Sequence, residues 1–407
     1  MIRVAVSRNV DEKAPVAVIG LNSRRIPSSI SVGASPEHYS EEFPMSLDAI
    51  YANVLNGQRV SRTEALELLQ HGDLLKLGAV ANSLRNRKTD PGVVTFIIDR
   101  NINYSNICTC KCTFCAFYRD EDSADAYWLD REAFREKIRQ TVEVGGRQIL
   151  LQGGLHPSKT IEDYELMLRQ IKEDFPEVNI HAFGAPEIHH IASLSALSVR
   201  ECLRRLIGAG LGSIPGGGAE ILADRVRQRI SPNKIRGRQW IDIMKEAHRE
   251  GLRTTATMMF GAGESPEELV EHLDMLREAQ DETGGFTAFI PWTYQPDHTE
   301  LARTQGASLR KLTSYDYLRV LALCRIYLDN FDNLQVSWVT QGAKVAQVAL
   351  RFGANDFGSL MLEENVVKSA GVSFRMSLEE LVHTISSAGY VALERNVFYE
   401  PLRRHTV

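Results

Sequence analysis

Four of the six cysteines in this 407-residue chain fall within one short stretch, residues 108–115. Three of them, Cys108, Cys112 and Cys115, have the spacing C-x3-C-x2-C, with which one loop can present three thiolates to a single iron–sulfur cluster. A 4Fe–4S cluster has four irons, so three ligands leave one iron open to a small molecule, as an open position marks a catalytic zinc. The spacing therefore predicts a catalytic metal centre.

Two other interpretations of these cysteines stay open. Four cysteines in this stretch could bind Zn²⁺, although the sequence has no second CxxC or His pair that would complete a tetrahedral site with the usual spacing. Cys110, which lies between the three predicted ligands, could instead be the fourth ligand of a closed electron-transfer cluster. Cys110 is thus the residue that decides the exact ligand set.

The cysteine stretch follows a predicted strand at the start of a long α/β pattern. Residues 93–98 are an apolar, β-branched run, which is typical of a strand buried on both faces. Strand and helix patterns then alternate about eight times, with the fourth and eighth units weakly marked. The pattern predicts a (β/α)8 TIM-type barrel, full or partly open. We expect a poorly ordered N-terminal extension at 1–45, a helical preface at 46–92, the barrel at 93–376 and a C-terminal closing segment at 377–407.

In a barrel of this kind the functional residues lie on the loops after the strands. Gly153 and Gly154 follow the second predicted strand, and fit either an ordinary turn or the close approach of a ligand. Glu220 follows three glycines; it can accept hydrogen bonds from a ribose or an ammonium group, or cap the next helix. Trp292 and Trp338 lie near later strand ends, where single tryptophans are more often core residues.

Composition and charge exclude several classes of protein. The net charge is −5 (47 basic against 52 acidic residues), without a basic stripe, so nucleic acid is not an expected partner. No apolar run is long enough to cross a membrane, and the N-terminal residues are too charged for a signal peptide. Clustered cysteines, with Cys202 and Cys324 isolated in helical patterns, indicate a reducing compartment. We therefore expect a cytoplasmic protein.

The cysteine motif, with Phe114 just before its last cysteine, resembles that of the radical S-adenosylmethionine (SAM) superfamily. Within it, the chain resembles the family that cyclises dehypoxanthine futalosine in the futalosine pathway of menaquinone biosynthesis. The relatives of that family, aminofutalosine synthase and deazaflavin (FO) synthase, share several motifs and are the alternative. The resemblance covers about residues 47–400 and rests on residues 100–104, 115–119, 151–157, 214–221, 254–261, 284–292 and 355–359.

The resemblance implies an enzyme, a radical SAM cyclase with a 4Fe–4S cluster whose open iron binds SAM. A 5′-deoxyadenosyl radical would remove hydrogen from the ribose C4′ of dehypoxanthine futalosine, and the ribose radical would attack the benzoate ring. An external electron donor such as flavodoxin or ferredoxin would be the protein partner.

The implied site residues fall into four groups. Cys108, Cys112 and Cys115 would bind the cluster; Phe114, Gly153, Gly154 and Glu220 would contact SAM; Trp292, Gln295 and Trp338 would contact the substrate; and His156, Glu187 and Asp356 are the candidates for the base that takes the final proton.

Overall fold

Three capped helices open the part of the chain that the computed structural model describes, which comprises residues 46–306, 309–372 and 374–406. The predicted extension, residues 1–45, lies outside these ranges. Ser46, Ser61 and Asp73 each accept a hydrogen bond from the backbone N–H three residues further on, which fixes where each helix begins. The helices are α1 (Leu47–Leu55), α2 (Arg62–His71) and α3 (Leu74–Lys88).

Seven parallel strands, hydrogen-bonded in chain order, form the main sheet. They are β2 (Asp99–Ile102), β3 (Gln148–Leu151), β4 (Asn179–Ala182), β5 (Leu211–Ile214), β6 (Arg253–Phe260), β7 (Phe286–Thr293) and β8 (Asn333–Leu334). The helices that alternate with them are α4 (Arg131–Glu143), α5 (Ile161–Asp174), α6 (Ala185–Leu194), α7 (Val199–Ala209), α8 (Asp224–Ile230), α9 (Gly237–Arg249), α10 (Pro266–Thr283), α11 (Glu300–Gln305) and α12 (Ser314–Tyr327). No helix in the described ranges is long and apolar enough to cross a membrane.

A second sheet has four strands in the order β11-β10-β1-β9, so β1 lies between strands from the C-terminal part of the chain. Its strands are β1 (Val93–Ile97), β9 (Asp356–Ser359), β10 (Val391–Arg395) and β11 (Pro401–His405). Two helices lie between β8 and β9, namely α13 (Trp338–Gln341) and α14 (Ala343–Ala349). Two more lie between β9 and β10, namely α15 (Val366–Ser369) and α16 (Leu378–Ser387). Strand β9 is linked to the chain after β8 by one bridge, between Gln335 and Asp356, and pairs with β1 on its other side. The predicted fold, a partly open barrel, is confirmed.

The strand predicted at 93–98 is present as β1, and a second strand that was not predicted, β2, follows it directly. The chain changes partners at Ile98: β1 pairs with β9 and β10, and β2 pairs with β3. Polar residues Asp99, Asn101 and Asn103 are buried along this second part. An apolar pattern alone could not reveal β2, because one of its faces is polar.

Three boundaries differ from the sequence prediction, and each concerns a predicted site residue. Trp292 lies on β7, not on a loop, because β7 pairs with β6 as far as Thr293. Trp338 begins α13 instead of ending a strand. Asp356 begins β9 instead of following the last strand. At all three residues, the element boundary depends on whether the segment pairs with a strand that is distant in sequence. A local sequence pattern cannot show such pairing.

Candidate active site

A cavity of about 400 Å³ lies inside the barrel and reaches the loops that follow the strands. Cys108, Cys112 and Cys115 all line it, on the loop after β2. Six further residues predicted for the site also line the cavity, namely Phe114, Gly153, Gly154, Glu187, Glu220 and Trp292. The fold therefore brings the cysteine loop and the other predicted loops to one shared cavity, as barrel geometry requires.

Hydrogen bonds within the chain hold the cysteine loop in shape. The Arg119 guanidinium donates to the carbonyl oxygens of Ala116, Phe117 and Tyr118, at 3.4, 3.2 and 2.8 Å. The backbone N–H and the hydroxyl of Thr113 both donate to the carbonyl of Ile230. A loop with its backbone groups satisfied in this way is preorganised to present its side chains to the cavity.

The thiols differ in their surroundings. The backbone N–H of Leu155 donates to Cys108 Sγ at 3.3 Å. A hydrogen bond from the Cys110 thiol lowers the pKa of Cys108 to about 5, and burial raises the pKa of Cys115 to about 11. Cys110, which is 2% exposed, also lines the cavity, and its Sγ is 3.6 Å from the carbonyl of Asn233. Among the residues that the structure describes, no three His, Cys, Asp or Glu side chains converge on a single metal-ion position.

Gly153 and Gly154 lie where the chain after β3 passes directly beneath the cysteine loop. A Cβ on Gly154 would be 2.0 Å from the carbonyl oxygen of Ile107, and one on Gly153 would be 2.4 Å from the Tyr104 ring. Both glycines are therefore required for the contact between β3 and the cysteine loop, whatever ligand the cavity binds.

We expect Gly154→Ala to displace the cysteine loop. Overpacking of this kind costs about 1–3 kcal/mol of stability, and the clash here is with backbone, which cannot rotate away. The free energy of unfolding and the iron content after anaerobic reconstitution should both fall. Gly208→Ala is the matched control, because a Cβ at Gly208, in α7, meets nothing within 4 Å. That variant should keep its iron and gain up to about 1 kcal/mol from helix propensity; equal behaviour of the two variants would contradict the prediction.

Glu220 carries an unsatisfied acceptor at the cavity. Its Oε1 accepts from Lys234 Nζ at 2.7 Å, while Oε2 is buried and has no partner among the described residues. The backbone of Glu220 is held at φ +44°, a conformation that non-glycine residues rarely adopt. Lys234 Nζ also lies 5.2 Å from the centre of the Phe114 ring. Glu220 and Lys234 thus form a polar corner beside the cysteines that can bind a ligand bearing N–H or O–H donors.

Glu187 lines the cavity but its carboxylate is already well supplied with donors. It accepts from the Tyr104 hydroxyl at 2.6 Å and from the backbone N–H groups of Gly153 and Gly184 at 3.1 and 2.7 Å. Burial raises its pKa to about 7. The carboxylate therefore anchors the glycine turn, and near neutral pH it can also exchange a proton.

Four of the predicted site residues do not line the cavity. His156 packs edge-on against Trp128, with ring centres 5.7 Å apart. Gln295 donates to the carbonyl and hydroxyl oxygens of Thr293. Trp338 Nε1 donates to the carbonyl of Ser359 at 2.8 Å. Asp356 is fully buried in an ion pair with Arg395. Each of the four side chains thus has a partner in the protein, and for Trp338 and Asp356 that partner, Ser359 or Arg395, itself lines the cavity.

The sequence prediction missed a set of polar side chains that line the cavity. These residues are Asp99, Asn101, Asn103, Gln148, Gln152, His181, Lys234, Gln335, Ser359, Glu364 and Arg395. For part of this set a signal was present in the sequence, because residues 99, 101 and 103 are polar at every second position. The Oδ1 atoms of Asn101 and Asn103 have no partner among the described residues.

The fold and the cysteine loop together define a radical SAM enzyme, and comparisons with known proteins confirm this class. The model of the radical SAM superfamily matches residues 102–276, and that of the CofH/MqnC C-terminal region matches residues 283–406. The FeFe-hydrogenase maturase HydG from Carboxydothermus hydrogenoformans has a similar fold, with a TM-score of 0.69 and 18% identity over 87% of this chain and 80% of that one.

The chain belongs to the radical SAM superfamily, and within it to the family of the cyclic dehypoxanthine futalosine synthases. The relative of that name from Halalkalibacterium halodurans is 45% identical over 88% of this chain and 96% of its own length. The relative from Streptomyces coelicolor is 44% identical over 88% of this chain and 90% of its own length. The resemblance drawn from the motifs is thereby confirmed.

The family implies an iron–sulfur cluster and SAM, and the side chains at the cavity fit both. Three cysteines are the soft ligands that such a cluster takes. The unpartnered Oε2 of Glu220, beside them, suits a ligand with ammonium or hydroxyl donors.

Proposed function

We propose that this enzyme cyclises dehypoxanthine futalosine to cyclic dehypoxanthine futalosine, a step of menaquinone biosynthesis. The observation that carries the proposal is that three cysteines, the polar corner of Glu220 and Lys234, and Trp292 line one cavity. The identity of 45% over nearly the whole length of a synthase with this activity in its name supports the same reaction.

In this proposal Cys108, Cys112 and Cys115 would hold a 4Fe–4S cluster, and Glu220 and Lys234 would bind and orient SAM beside it. When bound, the cluster and SAM supply the radical that removes a hydrogen atom from the substrate ribose. Cys110 is not a ligand. Phe114, which lines the cavity beside Lys234, would contact SAM next to the cysteines.

The remaining cavity residues hold the substrate. Trp292 projects from a strand, so its indole has a fixed position from which it can keep the benzoate ring next to the ribose. Glu187 is the proposed acceptor of the final proton, because among His156, Glu187 and Asp356 it is the one that lines the cavity. We further propose a cytoplasmic enzyme that takes its electron from reduced flavodoxin or ferredoxin, since a reducing compartment preserves the cluster thiolates.

Turnover of two substrates tests the proposed reaction. Anaerobically reconstituted enzyme, reduced with dithionite, should convert dehypoxanthine futalosine and SAM to the cyclic product and 5′-deoxyadenosine. It should not convert the enolpyruvyl benzoate that an aminofutalosine synthase uses. Products are identified by chromatography and mass spectrometry. Conversion of the second substrate alone would assign the alternative function, and failure to cleave SAM with either substrate would reject both.

A further inference from the structure

Among the residues that the structure describes, two basic side chains line the cavity, those of Lys234 and Arg395. Lys234 is paired with Glu220 beside the cysteines. Arg395 is the last residue of β10, and it is 4% exposed. A buried arginine at a cavity wall matters because its guanidinium matches the geometry of a carboxylate.

Arg395 lies at the end of the cavity opposite to the cysteines. Phe96 pairs with Glu394 in the register between β1 and β10, so Arg395 is level with Ile97. From Ile97 to Asn103, where the chain turns into the cysteine loop, an extended chain rises roughly 20 Å. The cavity therefore has a cysteine end, near Cys108, and an inner end, near Arg395.

The guanidinium has donors to spare. Its Nε and Nη2 donate to Asp356 at 2.6 and 2.8 Å, and its Nη1 donates to the carbonyl of Asn396 at 3.0 Å. An arginine carries five N–H donors, so two are left by the partners in the described part of the chain. The guanidinium carbon also lies 3.8 Å from the centre of the Tyr399 ring, which fixes the plane of the group.

The other side chains at the inner end are compatible with an anion. His181 shares a hydrogen bond of 2.7 Å with Ser213, and burial lowers its pKa to about 3, so that the ring is neutral. Gln335 offers an amide. Two carboxylates on the β2 side of the cavity, Asp99 and Glu364, are held by the protein itself. Asp99 accepts from Gln148 at 3.0 Å and from Ser359, Glu364 accepts from Asn101 at 2.7 Å, and burial raises the pKa of both.

We infer that Arg395 binds the carboxylate of the substrate's benzoate ring and so sets the direction in which the substrate lies in the cavity. This inference rests on the proposed function. The ribose then lies at the cysteine end, where the radical forms, and the carboxylate is held several bonds away at the inner end. Asp356, which accepts four hydrogen bonds, orients Arg395 and does not touch the ligand.

Binding of two unreactive fragments tests the inference without turnover. Calorimetric titration of the reconstituted holoenzyme with 3-acetylbenzoate and 3-acetylbenzamide gives the ratio of their affinities. In the wild type we expect the benzoate to bind at least about tenfold more tightly, as a charge-assisted, two-point contact provides. Arg395→Gln should bring the ratio close to one. Asp356→Asn should raise it, because the internal counter-charge is removed while the guanidinium stays.

Two further variants separate recognition from stability. Arg395→Gln leaves Asp356 buried and unpaired, which is strongly destabilising, so the double variant Asp356→Asn/Arg395→Gln provides a neutral replacement whose ratio should also be close to one. Arg277→Gln is the matched control: Arg277 is buried, pairs with Asp274 and lies 3.8 Å over the Tyr327 ring, but it does not line the cavity. Its ratio should equal that of the wild type.

The outcomes distinguish this inference from the proposed function. A wild-type ratio near one, or a ratio unchanged in Arg395→Gln and in the double variant, would overturn the inference whether or not dehypoxanthine futalosine is cyclised. A ratio that falls as expected in an enzyme that does not cyclise dehypoxanthine futalosine would support the carboxylate site and reject the proposed reaction.

Discussion

Replacing Cys112 with alanine is expected to abolish both the cluster and SAM cleavage. Cys112 lines the cavity, is 4% exposed, and is the middle member of the C-x3-C-x2-C motif. The two motif thiolates that remain, those of Cys108 and Cys115, cannot hold a cluster that needs three, and in the proposal Cys110 is not a ligand. Iron content and the visible absorbance of the reconstituted protein should fall to the level of a protein without a cluster. 5′-Deoxyadenosine formation should fall to the rate without enzyme, and Cys108→Ala and Cys115→Ala should behave alike.

Cys110→Ala is the matched control, because Cys110 is as buried as Cys112 and lies two positions away. This variant should keep its iron, its absorbance and its SAM cleavage. The loss of the thiol's hydrogen bonds should cost only about 1 kcal/mol of stability. If Cys110→Ala also lost the cluster, Cys110 would be a fourth ligand and the cluster would have no open iron. If the wild type bound zinc and no iron, the zinc interpretation would be correct.

Replacing Trp292 with alanine is expected to separate SAM cleavage from cyclisation. Trp292 lines the cavity from β7, away from the loop that carries the cysteines. Without the indole, the benzoate ring is free to move from the ribose radical, and a misplacement of about 1 Å can cost roughly 100-fold in rate. The amount of cyclic product per 5′-deoxyadenosine should therefore fall by about that factor, while 5′-deoxyadenosine itself forms at nearly the wild-type rate.

Trp338→Phe provides the contrast for Trp292→Ala. Trp338 is 3% exposed, does not line the cavity, and donates its indole N–H to the carbonyl of Ser359. Its replacement should lower the melting temperature through the lost hydrogen bond and leave the product ratio unchanged. An unchanged ratio in Trp292→Ala, or an equal fall in both variants, would contradict the assignment of Trp292 to the substrate.

The sequence was sufficient for the fold class and for the cysteine loop, for physical reasons. Alternating strand and helix patterns predict parallel strands, and parallel strands direct their following loops to one end of a barrel. Cysteine spacing is a local property of one loop, so it survives without knowledge of the fold. Glu187, Glu220 and Trp292 were reached by the same reasoning, since each follows or ends a strand of the barrel.

What the sequence could not show is how distant parts of the chain meet. The sequence pattern fits Gly154 to either a turn or a ligand contact, but the neighbour of Gly154 in the structure is the carbonyl of Ile107, 47 residues earlier. Asp356 is a candidate base in the sequence, but in the structure its carboxylate is paired with Arg395, which belongs to the C-terminal segment. Lys234 has no motif of its own and becomes part of the site through its ion pair with Glu220.

The pairing of β1 with β10 has a consequence for the order in which the enzyme is made. Residues 93–96 pair with residues 391–394, so a ribosome must add about 300 residues before β1 meets that neighbour, and a closure over so long a loop is slow to form. Arg395 and Val397 line the cavity. The cysteine loop therefore leaves the ribosome long before its cavity can form. The C-terminal residues complete the cavity wall last.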